Sequence, residues 1–441
     1  MSTTLTSAVA AAAAEVLAHM RTTRDAEHTA AMTEPARQVL EELIGLYART
    51  ANSARRVSSI LLPPLPGDDE LDGAPVFTDG GQAQTWYLDN AAGISNAMAL
   101  ASRYAADKHS PRLVRNLERV LTSLHDIDAN LELIELALTA ARRMGDKAAE
   151  AQLLLNRGGS FRMAGRPVTA LEDYTQAQRL LADLEDHEGT LVALSRRAVA
   201  FIVARQLDDA ADLLDQVLAL STRSDTLRAL AYVNRAWVAT QRGDATTAIA
   251  QGLVGLDMLE DNGADQIWLV EAHLQLATAY TLGEDSEEAR HHLNEVSMLF
   301  ASGFNGVPQR IAAALADGAL LLTQGHHQDA LEAFQRAVVL QSAGAGPYRM
   351  ADAIDGVGEA LFGLEEYDQA AERHASALPE RARIGEPFAT ARTRYNLAKA
   401  QTASGRGDDA TKQRRKALLE LTGLVDPAAD ALRVELSLLA Q

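Results

Sequence analysis

Two pairs of histidines, His291-His292 and His326-His327, most invite a chemical reading, because imidazole ligates metals and moves protons near neutral pH. Neighbouring residues on a helix point about 100° apart, so neither pair chelates an ion by itself. The chain has no Cys, and no carboxylate stands at a spacing that completes a four-ligand set. Gly356-Val357-Gly358-Glu359-Ala360 carries the glycines of a nucleotide loop. It falls inside a helical pattern with no strand before it, so the geometry that cradles a phosphate is missing. Close helix packing explains those glycines better. No nucleophile elbow singles out a Ser, and no Gly-x-x-x-x-Gly-Lys-Ser/Thr stretch occurs. The sequence therefore predicts no catalytic residue, no metal and no cofactor. An enzyme would need a site assembled from distant segments, and the chemistry left to the chain is that of binding.

What positions the binding residues is a pattern that returns about every forty residues. Small residues at Ala170, Ala210, Ala248, Ala289, Ala330, Ala370 and Ala410 are separated by 40, 38, 41, 41, 40 and 40 positions. Twelve residues before each stands another small residue: Gly158, Ala198, Ala236, Ala277, Gly318, Gly358 and Ala398. Seven residues after each comes a third, such as Ala177, Gly255, Ala337 and Ala417. Four of the intervening turns carry Gly at one offset, namely Gly165, Gly243, Gly325 and Gly405. Such a period marks a solenoid. Offsets of three, four and seven place residues on one helix face, so each unit holds two amphipathic helices joined by a short turn. Small residues let the two backbones approach, and Leu171, Tyr174, Leu214, Leu293 and Phe334 fill the remaining space. No hairpin buries its apolar face alone, so neighbours must stack. The pattern resembles the tetratricopeptide repeat, with some six residues beyond the usual period of about 34. The paired small residues, with an aromatic such as Tyr174 after the second, favour it over HEAT and armadillo repeats of similar length. The resemblance implies an all-α fold, a right-handed superhelical solenoid with an N-terminal helical bundle.

Composition agrees. Hydrophobic residues make up 47% of the 441 positions but aromatics only 5%, so Ala and Leu carry the interior, which suits close helix packing. Against 60 acidic residues stand 41 basic ones, a net charge of −19, and the summed field repels nucleic acid. Absence of Cys fits a reducing cytosol. No run of 18 apolar residues exists to span a membrane, and the Ala-rich start lacks the positive leader of a signal peptide. A soluble cytoplasmic protein is expected, with no nucleic-acid or membrane partner.

In chain order, residues 1–61 read as an N-terminal helical segment of two helices divided near Thr33-Glu34-Pro35, the second spanning about 35–60. Thr33 is a candidate cap and Pro35 a candidate first-turn residue. Residues 62–81 form a Pro/Gly-rich acidic linker whose Leu62, Leu65, Val76 and Phe77 predict packing against the helical body. Residues 82–143 give a long helix, about 82–108, and a degenerate repeat in which Asn130, Ile134 and Ala137 take the marker positions. Seven clear repeats occupy 144–424, and Pro427 opens a capping helix within 425–441.

A second resemblance rests on Leu46-Tyr47-Ala48-Arg49-Thr50-Ala51-Asn52-Ser53-Ala54, the proline-rich segment, Gln84-Thr85-Trp86-Tyr87-Leu88-Asp89 and the ladder of repeats. Together with Ala141-Arg142-Arg143-Met144-Gly145-Asp146 and Leu155-Asn156-Arg157-Gly158, these are similar to the C-terminal sensor region of actinobacterial NB-ARC/tetratricopeptide transcriptional regulators, including the SARP-type antibiotic regulators. The resemblance implies architecture more than ligand. Without a phosphate loop or a preceding DNA-binding domain, the expectation is a sensor or scaffold that lacks its own ATPase.

In a tetratricopeptide solenoid one stripe of each first helix lines the concave surface. Counted from the small markers, that stripe includes Val199 and Ile202, then Leu230, Val233 and Trp237, then Leu274, then Leu315 and Leu322. It ends with Asp352, Asp355 and Glu359, then Arg392, Tyr395 and Lys399. The middle is apolar and the C-terminal end is charged. If the face is assigned wrongly, these positions are core instead. If it is right, the groove binds a peptide, a protein segment or an apolar small molecule, in a non-catalytic sensor or adaptor for signalling or transcriptional regulation. The alternatives are a scaffold or chaperone that presents a partner to a biosynthetic enzyme, and, less favoured, an enzyme built across repeats. Self-association into a homo-oligomer is left open.

Overall fold

The computed structural model describes residues 14–18, 32–57, 74–124, 126–221, 225–304, 306–342 and 349–439. After a helical stretch at 14–18, the described helices are α1 (Glu34–Arg56), α2 (Gly80–Tyr104), α3 (Ser110–Leu124), α4 (Ile127–Met144), α5 (Lys147–Met163) and α6 (Pro167–Asp183). They continue as α7 (His187–Val203), α8 (Leu207–Leu220), α9 (Asp225–Arg242), α10 (Ala245–Asp261), α11 (Gln266–Leu282), α12 (Ser286–Ala301) and α13 (Val307–Thr323). The remainder are α14 (His327–Ser342), α15 (Met350–Gly363), α16 (Tyr367–Ile384), α17 (Pro387–Ala403), α18 (Gly407–Glu420) and α19 (Pro427–Leu438). There is no strand among the described residues, and no described helix is long and apolar enough to cross a membrane.

Capping starts many of these helices. The side chains of Asp79, Asp244, Asp285 and Asp426 accept from the backbone N–H three residues on, each satisfying a donor that the first turn leaves free. Thr33 caps α1 in the same way, accepting from Ala36 N at 3.4 Å. Because Asp79 supplies the cap, α2 starts two residues before the expected 82. It stops at Tyr104, short of 108, because Ala105 turns left-handed with φ 53°. Helix α1 ends at Arg56 rather than at 60, with Val57 as its C-cap.

Contacts divide the chain into two compact units, residues 1–160 with 172–193, and residues 161–171 with 194–441. In the first, α1 packs on α2 and α3, and α4 packs on α2 and α3. Most of the predicted packing segment, 62–73, lies outside the described residues. Its C-terminal end follows the expectation only in part: Ser53 Oγ donates to the Pro75 carbonyl at 2.6 Å and the Phe77 ring lies 6.0 Å from that of Trp86, but Val76, expected to pack, points away and is 86% exposed. Arg157 reaches both oxygens of Asp173 at 2.8 and 2.6 Å and also Glu135.

In the second unit, successive hairpins α9–α10, α11–α12, α13–α14, α15–α16 and α17–α18 stack in chain order. The small markers do what their size suggests. Ala248, Ala289, Ala330 and Ala370 are wholly buried. A Cβ on Gly318 would lie 2.7 Å from the Phe334 ring, and one on Gly358 would lie 2.6 Å from His374, so those crossings close around an aromatic ring. Phe334, Val357, Leu361 and Leu397 share one buried cluster across three hairpins. All seven turns between first and second helices take the same left-handed step. At Gly165, Gly243, Gly325 and Gly405 the residue is glycine, whereas Arg205, Glu284 and Glu365 hold φ of 57°, 61° and 64° with side chains attached.

Candidate functional site

The predicted stripe lies on alternate helices of the second unit. Val199 and Ile202 are on α7, Leu230, Val233 and Trp237 on α9, Leu274 on α11, and Leu315 and Leu322 on α13. Asp352, Asp355 and Glu359 follow on α15, and Arg392, Tyr395 and Lys399 on α17. Burial separates the apolar members into two sets. Ile202, Leu230, Val233 and Leu274 are buried, whereas Val199, Trp237, Leu315 and Leu322 are half-buried. Leu274 belongs to a core cluster with Val270, Leu293 and Val296, and Leu315 and Leu322 pack on the flank of the Phe334 cluster. Among the charged members, Asp355 is buried, Asp352, Glu359 and Lys399 are half-buried, and Arg392 is exposed.

Polar rungs join successive first helices, and of their members the sequence reading named Asp355 and Glu359. Gln309 Nε2 donates to Glu271 Oε1 at 2.7 Å, linking α13 to α11. Thr393 Oγ1 donates to Asp355 Oδ2 at 3.0 Å, and Asn396 Nδ2 donates to Glu359 Oε1 at 2.7 Å, linking α17 to α15. Each pair is one repeat apart in sequence, a spacing that a search for complementary polar residues at the period would have caught.

The C-terminal end holds a buried charge network. His374 Nδ1 lies 2.5 Å from Asp355 Oδ1, and both side chains are nearly inaccessible. Arg381, 1% exposed, reaches Asp352 at 2.6 Å and Glu386 at 3.2 Å, and its Nε donates to Thr393 Oγ1 at 3.4 Å. Burial alone would raise the Asp355 pKa, but His374, Arg381 and Arg392 more than offset it and hold the carboxylate ionised. Glu359 moves the other way, raised by burial and then by the neighbouring Asp355 charge. Burial and Asp352 push Glu386 up to about 7. Lys399 Nζ sits 4.9 Å from the Phe362 ring centroid and 5.4 Å from that of Tyr395, so the cation rests on aromatic faces. Tyr395 also packs beside α19, whose Glu435 adds to the burial that raises its pKa. Such an arrangement fixes charges in place. The buried His374 holds Asp355 and does not face solvent.

The members of the first histidine pair differ in burial, although their rings lie 5.2 Å apart. His292 is buried and its Nδ1 lies 2.9 Å from Nδ1 of His273, with Tyr280 stacked on its ring at 5.4 Å, while His291 is exposed. Burial, reinforced by neighbouring histidines, lowers both His273 and His292 to about 4, so one neutral ring donates and the other accepts. Among the described residues no group of three or more His, Asp or Glu is arranged to hold a metal ion.

No protein-family model matches the sequence, and no curated protein does. Solved structures share the architecture. Cut9–Hcn1, the APC/C hetero-tetramer, aligns at TM-score 0.53 and 13% identity over 91% of this chain and 72% of that one. The fold is a tetratricopeptide-repeat solenoid. A Rap protein complexed with Competence and Sporulation Factor aligns at TM-score 0.51 and 13% identity, over 75% of this chain and 97% of that one. A STAND protein with a tetratricopeptide repeat sensor from Pyrococcus horikoshii gives 0.48 and 14%, covering 94% of this chain and 63% of its own. At these identities the likeness speaks to fold alone.

Proposed function

We propose that this chain is a non-catalytic binding protein that holds a peptide or protein segment along the first helices of its solenoid, as a sensor or adaptor in regulation. The observation that carries the reading is the division of the stripe. Val199, Trp237, Leu315 and Leu322 stay half-buried on the wall, and at its charged end Arg392 is exposed while Glu359 and Lys399 are half-buried. Apolar anchors in line with fixed charges of both signs suit a chain with apolar side chains and polar termini better than a small apolar molecule. The polar rungs at Glu271, Asp355 and Glu359 tie the wall together and cut the cost of ordering it on binding. Two proteins of the same fold were solved with partners, one with Competence and Sporulation Factor and one as Cut9–Hcn1. We further propose that this regulation is transcriptional or signalling and takes place in the cytoplasm.

The test is selection of a random peptide library on the purified chain, then titration of a selected peptide against variants. Glu359→Gln together with Arg392→Ala should weaken binding about tenfold or more, while Glu332→Ala on the exposed face of α14 should not. Equal affinity for all three proteins would overturn the groove assignment.

A further inference from the structure

Arg205 occupies the left-handed step between α7 and α8, at φ 57°, where four equivalent turns use glycine. A Cβ is unfavourable there, and unlike Glu284 and Glu365, which take the same step with exposed side chains, Arg205 turns its side chain inward. Its guanidinium is almost wholly buried, and Nε and Nη2 donate to both oxygens of Asp426 at 3.2 and 2.8 Å, across 221 residues of sequence. Nη1 and Nη2 also donate to the side-chain and backbone oxygens of Gln241, each at 3.1 Å. The Phe388 ring centroid lies 3.5 Å from the guanidinium carbon. Asp426 in turn caps α19, accepting from Ala429 N at 3.0 Å. One planar group therefore joins the end of α9, the start of α17 and the start of α19. A second contact has the same sense: a Cβ on Gly165, in the turn after α5, would lie 2.9 Å from Ile384 at the end of α16. Early turns of the second unit thus meet the loops that follow its late second helices.

We propose that Arg205, Asp426 and Phe388 form a clasp that closes one turn of this unit's superhelix on itself and docks the terminal helix. The competing account is that α19 is held by its apolar face alone, since Ala429, Leu432 and Leu436 pack on Ala391, Ala417 and Leu421. The clasp adds what that face cannot, a link from α19 to the beginning of the unit. Burial works against the Asp426 charge, but Arg205 and the capped amides more than offset it, so the carboxylate stays ionised for the pairing. Opening the clasp frees the seam without disturbing the hairpin stacking between.

Arg205→Gly tests it, because glycine relieves the left-handed step while it deletes the guanidinium. Glu284→Gly and Glu365→Gly make the same backbone change elsewhere and serve as controls. Since the chain has no Cys, spin labels can be placed on single cysteines introduced at the exposed Asp209 and Val434. The expected result is a longer and broader label distance in Arg205→Gly, with amide exchange in Pro427–Leu438 faster by about tenfold. The controls should match the parent. Asp426→Asn retains an N-cap but loses the charge, and should open the seam in the same way. Unchanged distance and unchanged exchange in both Arg205→Gly and Asp426→Asn would overturn the clasp and leave the apolar face as the sole anchor of α19.

Discussion

His273 and His292 share one hydrogen bond inside the second unit, and the consequence is a stability that falls in acid. Both are lowered to about 4 in the folded chain, whereas an unfolded histidine titrates near 6.5. Between those values the unfolded state binds more protons, so acidification from pH 6.5 to 4 draws the equilibrium towards unfolding. Glu386, raised to about 7, acts in the opposite sense: between pH 7 and 4.5 the folded state holds its proton, and lowering the pH favours folding. The pair must therefore be isolated by difference. His273→Gln/His292→Gln should lose less stability than the parent between pH 6.5 and 4.5, by about 1 to 3 kcal/mol in denaturant titrations. Identical pH slopes would show that the pair is charged or exposed in solution. Nothing local in the sequence announces this bond. His291-His292 looks like a pair, yet the partner of His292 is 19 residues back on the preceding helix. The same holds for Asp355 and His374, and for Arg381, which points into the network from a second helix where the stripe was read from first helices alone.

Among the elements, the turns show most clearly how far a local pattern reaches. Gly165, Gly243, Gly325 and Gly405 mark their left-handed steps in the sequence, because glycine is the residue that takes φ > 0 freely. Arg205, Glu284 and Glu365 adopt the same step with no such mark, since stacking of the hairpins on both sides imposes it. Glu284 and Glu365 are exposed, and their left-handed backbones cost about 1 kcal/mol each. Each replaced by Gly should therefore raise the stability by about 0.5 to 1 kcal/mol, read as a higher midpoint in urea. A lower midpoint would mean that these glutamates make contacts that outweigh the strain. The helices and their small markers were legible for a reason of geometry. A crossing that admits only Ala or Gly, as at Ala248 and Gly318, leaves its trace in residue size at a fixed period. Contacts between distant hairpins leave no period, and Arg205 with Asp426 could not be paired from spacing. Which stripe residues are covered was equally hidden. Leu230 and Trp237 share the stripe, but the neighbouring helices bury one and leave the other half open.

The whole chain carries a net charge of −19, and in the second unit the first helices α9, α11, α13, α15 and α17 touch in succession, the wall that the proposed binding uses. Large half-buried aromatics on such a wall are natural anchors, since they bury much area at little rotameric cost. Trp237, half-buried on α9 between the buried Val233 and Ala236 on one side and Thr240 on the other, is the largest of them. The most direct measurement compares Trp237→Ala with Phe334→Ala, a core lesion in the same unit whose ring fills the space against Gly318 and Gly356. Affinity for a library-selected peptide and the denaturation midpoint are read on both. The account predicts that Trp237→Ala loses about 2 kcal/mol or more of binding, roughly 30-fold, while losing less folding stability than the 3–5 kcal/mol of a core aromatic truncation. If Trp237→Ala unfolds as early as Phe334→Ala, or binds the peptide as tightly as the parent, the wall is core and the groove reading is wrong.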